Sequence, residues 1–403
     1  MGFWRPWIFG GGGLRRRLAP VAVAPLALLA AAAAADDSAV RVRPDPQAQA
    51  AHEEHGAIEG MPSDSPDLQV RLFGDLGFHL GDQAGETRSF SLGQLDGFFA
   101  SRLSDTLSAL SEVAFRSAGA GAQQVGRVGD SNTFSLSLER LLLQYSSSDY
   151  LRIAAGRYHT AIGYYNTAYH HGTWFQTATG RPFLFSFERD GGPLPSHNVG
   201  VTVSGRIPSG RLGLRYVLEV GNGRAYHVTE AVQNAVDADN DKAVNLALLA
   251  RPGWASGLQL GGSFYFDRLS PPDTARLSQQ IAAFYAVYHG GGLELLNELV
   301  LIRHSPLGTS QRFDTTGFYV QASRDIGRLR PYVRYQSFDA AAGDPILGQV
   351  GRRRGPSLGV RFDPSEFVAL KLQYDRTSSR TRRASDTVDD VVNGLMAQAA
   401  FTF

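Results

Sequence analysis

Residues 68–80 read LQVRLFGDLGFHL and alternate along their whole length. The even positions from Val70 to Leu80 are apolar except for a glycine, whereas the odd positions include Arg71, Asp75 and His79. Successive side chains of a β-strand point to opposite faces. This stretch therefore predicts a strand with one apolar and one polar face.

The same alternation recurs down the chain and predicts about sixteen strands. They begin near residues 68, 90, 106, 134, 150, 197, 211, 242, 258, 279, 293, 313, 329, 355, 367 and 391. In residues 134–145, FSLSLERLLLQY, the apolar side chains change midway from even-numbered to odd-numbered positions. This change of parity predicts a β-bulge near Glu139 and Arg140. Short turns alternate with longer connections, as in transmembrane β-barrels.

Composition supports an all-β, antiparallel transmembrane β-barrel. The chain has 403 residues with 45 glycines, 23 phenylalanines and 15 tyrosines, and is too polar on average for a bundle of membrane helices. A β-sandwich would bury its apolar faces between two sheets, and a propeller would show a repeat of about 40 to 50 residues, which this sequence lacks. A closed barrel instead turns its apolar face to lipid and satisfies its backbone internally.

The amino-terminal region predicts two segments before the barrel. Three arginines at positions 15–17 precede an apolar run that ends in alanines, so residues 1–35 are interpreted as a signal peptide rather than a membrane anchor. Residues 36–67 are rich in acids and proline and have no hydrophobic periodicity, which predicts a disordered periplasmic leader. The barrel then spans residues 68–403.

The carboxyl terminus is AQAAFTF at residues 397–403, and its last residue occupies an odd position, which belongs to the apolar face of the last strand. Phe401 and Phe403 would sit at the membrane interface, where aromatic residues are favoured. A terminal phenylalanine on such a strand is similar to the assembly signal of Gram-negative outer-membrane proteins. This resemblance implies the cell outer membrane as location, and its lipid and assembly machinery as partners.

Residues 151–183, LRIAAGRYHTAIGYYNTAYHHGTWFQTATGRPF, resemble the phosphate-selective porin O and P type. The resemblance implies a sixteen-stranded, homotrimeric diffusion channel whose third outer loop folds into the pore. The anion site of the phosphate-selective members resembles a lysine-rich cluster. This chain contains only Lys242 and Lys371.

The third outer loop, residues 160–196, is the longest predicted connection. It is too aromatic for a solvated tether, so we expect a constriction loop inside the lumen. An external lid or a contact between neighbouring barrels is the alternative. The candidate constriction residues are Tyr164, Tyr165, Trp174, Arg181, Glu188, Arg189 and Asp190.

Charges on the polar parity predict a weak anion preference, because charged rings act at short range in a pore. The predicted pore-lining cations are Arg71, Arg102, Arg116, Arg152, Arg206, Arg211, Arg215, Arg330, Arg334, Arg361 and Lys371, with Arg251 also on this parity. Fewer acids oppose them: Asp75, Asp96, Glu112, Glu219, Asp267, Glu294, Glu298 and Asp375. Pairing between these two groups is the alternative for any single residue.

The sequence contains only weak indications of a catalytic or metal-binding site. The chain has no cysteine, and Ser357 in GPSLG lies in a predicted strand rather than a strand-to-helix elbow. Asp237, Asp239 and Asp241 have the spacing of a calcium loop without its glycine or final glutamate. We therefore expect neither catalytic residues, a metal, a cofactor nor a nucleic-acid partner.

The predicted function is passive diffusion of small hydrophilic solutes or ions across the outer membrane. Two alternatives remain at this stage. One is an outer-membrane barrel hydrolase, and the other is a barrel that sheathes an electron-transfer or secretion partner.

Overall fold

A computed structural model describes residues 67–82, 88–117, 134–169, 172–187, 192–224, 237, 239–271, 275–383 and 386–403. The predicted signal peptide, and the leader up to residue 66, lie outside these ranges. The strands are β1 Asp67–Gly81, β2 Ser89–Arg102, β3 Leu107–Ser117, β4 Phe134–Ser148, β5 Leu151–His159, β6 His197–Arg206, β7 Leu214–Gly221, β8 Ala243–Ala250, β9 Leu258–Leu269, β10 Leu277–Gly290, β11 Leu293–Pro306, β12 Phe313–Arg324, β13 Leu329–Asp339, β14 Arg352–Phe362, β15 Val368–Arg383 and β16 Asp386–Thr402.

These strands form one closed antiparallel barrel in which each strand pairs with its neighbours in sequence. The sheet closes where β1 meets β16, with Phe73 opposite Thr402 and Leu80 opposite Leu395. Beyond the last strand residue, the backbone N–H groups of Leu72 and Phe403 each donate to the other residue's carbonyl, both at 3.1 Å. The terminal residue therefore completes the closing ladder, which leaves no open edge at this seam.

Side chains along each strand point alternately outward and inward, as the even and odd positions of the sequence predict. On β15, Leu372 points outward and is 46 % exposed, whereas the neighbouring Lys371 points inward and is 3 % exposed. The predicted bulge lies in β4, where Glu112 pairs with Arg140 and the adjacent Val113 pairs with Leu138. Glu139 is the extra residue, so Glu139 and Arg140 are both buried while the flanking leucines stay exposed.

All connections of more than seven residues lie at one end of the barrel, whereas those at the other end have two to seven residues. We call the end with the short turns the turn rim and the opposite end the outer rim. One sequence assignment at the turn rim was wrong. Arg211 does not lie on β7 but in a 3₁₀ turn, Gly210–Leu212, because Gly213 with φ 58° delays the strand to Leu214. Arg211 and Arg215 therefore do not share one strand face.

Helical structure among the described residues is brief. It comprises one α-helical turn, α1, Tyr165–Ala168, and 3₁₀ turns that include Phe183–Phe185. None of these described helices has the length and apolar character needed to cross a bilayer.

Candidate functional site

The connection between β5 and β6, residues 160–196, folds back against the inward face of the barrel. We call its described residues the inner segment. Its backbone N–H groups point to wall carboxylates that the sequence placed on the polar parity. Ala161 N–H donates to Glu219 at 3.0 Å, and Gly172 N–H donates to Asp96 at 3.2 Å. These contacts reach β7 and β2, so the segment crosses much of the interior.

The tightest of these contacts involves Glu298 of β11. Its two carboxylate oxygens accept from the N–H groups of Tyr164 at 2.6 Å and Tyr165 at 2.8 Å, and Tyr319 O–H donates at 2.7 Å. Gly163 has φ +77°, and a Cβ there would lie 2.5 Å from the same carboxylate. A left-handed residue before a right-handed one makes successive N–H groups converge on an anion. The turn at Gly163 thus aims the N–H groups of Tyr164 and Tyr165 at the carboxylate of Glu298.

Wall cations bind the carbonyl groups of the next part of the inner segment. Lys371 Nζ donates to the carbonyl of Thr173 at 2.5 Å and faces that of Ala178 at 3.5 Å. Arg361 Nη1 donates to the carbonyl oxygens of Trp174 at 2.7 Å and Gln176 at 3.2 Å. Residues 173–178 therefore form a turn of carbonyl groups around two cations from β14 and β15.

Two further cations of β13 extend this arrangement. Arg334 is fully buried and donates to the carbonyl of Gly180 at 3.0 Å. Arg330 donates to the Thr177 hydroxyl at 3.4 Å while forming a bidentate pair with Asp325. Hydrogen bonds to charged groups are roughly twice as strong as neutral ones. The inner segment is therefore held by charge on both its N–H and its carbonyl side.

Apolar packing completes the attachment. The ring of Tyr165 stacks on Phe185 at 5.3 Å and meets Tyr319 of β12 edge-on at 6.2 Å. At the opposite side, Phe175 contacts Phe73 of β1 with 4.8 Å between ring centroids. Aromatic side chains contribute large buried areas, so these contacts exclude water from the join between segment and wall.

The predicted constriction residues that the structure describes lie in these attachments. Tyr164, Tyr165 and Trp174 are buried against the wall. Arg181 donates to the carbonyl of Phe185 and covers the rings of Tyr165 and Phe187. Arg334, Arg361 and Lys371 are likewise buried under the segment. The predicted constriction residues Glu188, Arg189 and Asp190 lie outside the described residues.

The wall of β1–β7 has a different character. It carries most of the other predicted cations: Arg71, Arg102, Arg116, Arg152, Arg206 and Arg215. Arg71 is exposed and Arg102 and Arg215 are half-buried, whereas Arg152 and Arg206 approach Asp149 at 3.6 and 3.1 Å. Of the remaining two, Arg211 lies in a turn, and Arg251 follows β8 and donates to Gln259 at 3.2 Å.

A buried network on β3–β6 adds residues that parity alone did not select. Arg116 pairs with Glu139 at 2.7 Å, and Arg140 pairs with Glu112 at 2.6 Å. His197 Nε2 lies 2.8 Å from Glu139. The bulge brings Glu139 and Arg140 to the same side, and the predicted bulge was the one signal in the sequence that could have identified them.

A second connection also turns inward. In residues 340–351, between β13 and β14, Asp344 accepts from the backbone N–H groups of Ile346 and Leu347 at 2.8 and 3.0 Å. The same carboxylate lies 2.8 Å from His304 Nδ1 of β11. Because Ile346 and Leu347 are buried in the aromatic cluster of the inner segment, this connection covers the outer side of that cluster.

The chemical motifs do not form a reaction centre. Ser357 Oγ donates to Asp375 in the wall, whereas a nucleophilic serine needs a base such as histidine at this position. Asp237 and Asp241 are paired with Lys242 and Arg268. No group of three potential metal ligands occurs among the described residues.

Comparison with known proteins gives similarity at the level of fold. No protein-family model and no curated protein matches the chain. An anion-selective porin from Comamonas acidovorans shares 13 % identity over 84 % of this chain and 100 % of its own, with a TM-score of 0.59. The chain has the fold of an outer-membrane porin. The outer membrane channel DcaP of Acinetobacter baumannii matches 86 % of the chain and 100 % of its own at 12 % identity and a TM-score of 0.54.

The outer membrane protein OmpT of Vibrio cholerae, in a trimer form, shares 12 % identity over 84 % of the chain and 100 % of its own, with a TM-score of 0.52. These similarities and the apolar outward face place this porin-like barrel in the outer membrane of a Gram-negative bacterium. The resemblance to the phosphate-selective O and P type stays a prediction, because no family model supports it.

Replacing Lys371 by methionine tests how the inner segment is attached. Methionine has a similar length but no donor, so the carbonyl groups of Thr173 and Ala178 lose a charged partner. The chain has no cysteine, so Ala178→Cys provides a single labelling site at a buried position. We expect a membrane-impermeant maleimide to label this cysteine roughly tenfold faster in the Lys371→Met variant.

The matched control is Lys242→Met, which removes the other lysine, located on an outer connection. It should leave labelling at position 178 unchanged. Equal labelling rates in the parent, Lys371→Met and Lys242→Met proteins would show that Lys371 does not hold the segment.

Proposed function

We propose that the protein is a passive channel for small hydrophilic solutes or ions, with a weak preference for anions. The observation that carries this proposal is the inner segment, bound by polar wall groups inside a closed barrel. A segment held in this way narrows a water-filled lumen without a moving part. Passive diffusion through the remaining space needs no energy source and no cofactor.

The passage is proposed to run along the wall of β1–β7. The described hydrogen bonds attach the inner segment chiefly to β11 and β13–β15, where its carbonyl groups meet Arg334, Arg361 and Lys371. The aromatic cluster fills the same side. Solute would therefore pass on the β1–β7 side, beside Arg71, Arg102 and Arg215. The segment reaches this side at fewer points, such as the bonds of Gly172 to Asp96 and of Ala161 to Glu219.

Anion preference follows from how the wall charges are divided. Four cations and the carboxylates Asp96, Glu219, Glu294 and Glu298 contact the segment, so both signs are used in attachment. On β1–β7, arginines outnumber the acids that face them from the same strands. Charges in a narrow pore act beside a low-dielectric wall and are screened less than outer charges, whose range is about 8 Å at physiological salt.

Assembly is proposed to follow the pattern of porins. A homotrimer would match the trimer form of the Vibrio cholerae protein. Phe401 and Phe403 stack on each other beside the closing seam, with ring centroids 6.2 Å apart. This terminal strand is proposed to be the part recognised by the outer-membrane assembly machinery. Residues 1–35 are proposed to be a signal peptide and residues 36–67 a disordered periplasmic leader.

The two alternative functions receive less support. A hydrolase would need Ser357 to be activated by a base, and its hydroxyl instead donates to Asp375. A sheath for another protein would need an open lumen, and here the chain's own segment occupies a large part of the interior. No observation favours either function over a channel.

Removing the inner segment tests the channel directly. We expect the wild-type protein to conduct ions in planar bilayers. Replacing residues 164–193 with a short glycine-serine linker should raise single-channel conductance, because the obstruction is gone. Insertion is checked by the change in gel migration on boiling, which folded barrels show. An inserted wild-type barrel that conducts no current, or an inserted deletion variant of unchanged conductance, would contradict the proposal.

Selectivity is tested at Arg71 and Arg102, which lie on neighbouring strands near the turn rim. In a potassium chloride gradient, the reversal potential of the wild type should show a modest preference for chloride. Changing both arginines to glutamine should move it toward potassium, because two cations leave the proposed passage. Arg211→Gln with Arg328→Gln is the control, since it removes the same charge from two turns. Wild-type selectivity for potassium, or an equal shift in the control, would contradict this account.

A further inference from the structure

Four arginines lie on the outward face of the barrel at the outer rim of β14 and β15. They are Arg352, Arg354, Arg376 and Arg380, and we call them the outer arginine patch. Arg352 stands opposite Arg380, and Arg354 stands opposite Ser378. These positions share the parity of Leu358 and Tyr374, which are exposed on the apolar outward face. The patch therefore faces away from the lumen.

The apolar belt fixes the level of this patch. The exposed apolar residues run from Phe367, directly before β15, through Leu370 and Leu372 on the outward face of β15 to Tyr374. At about 3.3 Å per residue and a tilt of about 40°, this distance is roughly 18 Å, and Arg376 lies roughly 23 Å from Phe367, near the upper limit of the apolar band of about 25 Å expected for a barrel. Arg376 follows directly above Tyr374. The patch thus begins at the height of the lipid headgroups, on the side of the long connections.

Charge balance separates the patch into two rows. In the row farther from the belt, Arg380 pairs with Asp389 at 2.5 Å, and Arg352 stands in register with Asp339. In the row nearer the belt, the register partners of Arg354 are Ser337 and Ser378, and that of Arg376 is Asn393. Among the described residues, the register therefore places no carboxylate directly beside Arg354 or Arg376.

Two carboxylates lie near this row. Asp339, in register with Arg352, is a diagonal neighbour of Arg354 on the side away from Arg376. Asp82, the residue after β1, approaches from the side of Asn393. Asp82 accepts from the Asn393 side chain at 2.6 Å and from its backbone N–H at 2.7 Å. These hydrogen bonds lower the pKa of Asp82, so it stays ionised. Its contacts are to the asparagine rather than to an arginine. Arg354 and Arg376 are diagonal neighbours across two strands, which places their Cα atoms about 7–8 Å apart.

We propose that the outer arginine patch binds the phosphate groups of a glycolipid headgroup in the outer leaflet. Like charges this close repel each other unless an anion lies between them, and guanidinium groups match phosphate oxygens in bidentate geometry. The serine hydroxyls beside Arg354 supply neutral donors. The acyl chains of the same lipid would lie along Leu358, Leu372 and Tyr374, which no free phosphate could use.

The test uses the full-length protein in detergent micelles, titrated with lipid A that carries both phosphates. Native mass spectrometry counts the bound lipid. Arg354→Gln with Arg376→Gln should weaken binding by roughly 30-fold, as expected for two arginines at a charged lipid surface. Dephosphorylated lipid A should bind the wild type as weakly as phosphorylated lipid binds the variant. Ion conductance should not change, which separates this proposal from the channel function.

The matched control is Arg268→Gln with Arg303→Gln, which removes two outward arginines of β9 and β11. These are paired with Asp241 and Asp314, so lipid binding should remain near the wild-type level. Unchanged binding in the patch variant, or equal loss in the control, would overturn the proposal. Full displacement of lipid by inorganic phosphate would indicate a free-anion site instead. Loss of the trimer without loss of lipid would indicate an interface between copies, and would also overturn it.

Discussion

The convergence of the Tyr164 and Tyr165 N–H groups on Glu298 is the contact on which the interior depends. A chain segment inside a barrel has backbone donors and acceptors that no neighbouring strand can satisfy. Each buried group left without a partner costs about 1–3 kcal/mol. Carboxylates of the wall accept hydrogen bonds from the N–H groups of the segment, and cations of the wall donate hydrogen bonds to its carbonyl groups. Polar residues on the inward face therefore serve mainly to bind the segment, and only secondarily to line a passage for solute.

This division explains why the two halves of the wall differ. On β9–β13 the inward face includes buried Tyr265, Ile281, Val300 and Tyr319, which pack with the aromatic side chains of the segment. A water-filled lumen would not favour such residues, but a segment that covers them does. On β1–β7 the inward face keeps arginines at different heights along the strands. The inward face of β9–β13 therefore packs against the segment, whereas the inward face of β1–β7 is a charged surface.

Much of the fold could be predicted from the sequence, because parity reports which face a side chain occupies. It identified all sixteen strands, with starts within five residues of those observed, and the bulge at Glu139. Parity does not report which partner a side chain meets. Arg334 and Lys371 were correctly assigned to the inward face, yet their partners are carbonyl groups of residues 173–180, far away in sequence. Arg211 was misplaced because one left-handed glycine moves the start of β7 by three residues.

The central claim is that the inner segment is a fixed part of the barrel rather than a loose loop. Hydrogen exchange of the purified barrel measures this directly, since amides in stable hydrogen bonds exchange only on opening. The amides of Ala161, Tyr164, Tyr165 and Gly172 should show protection comparable to that of strand amides in β11. The same holds for Thr179, whose N–H donates to the Gln373 side chain at 3.1 Å. Exchange of these amides as fast as that of the exposed turn at residues 307–312 would contradict the account.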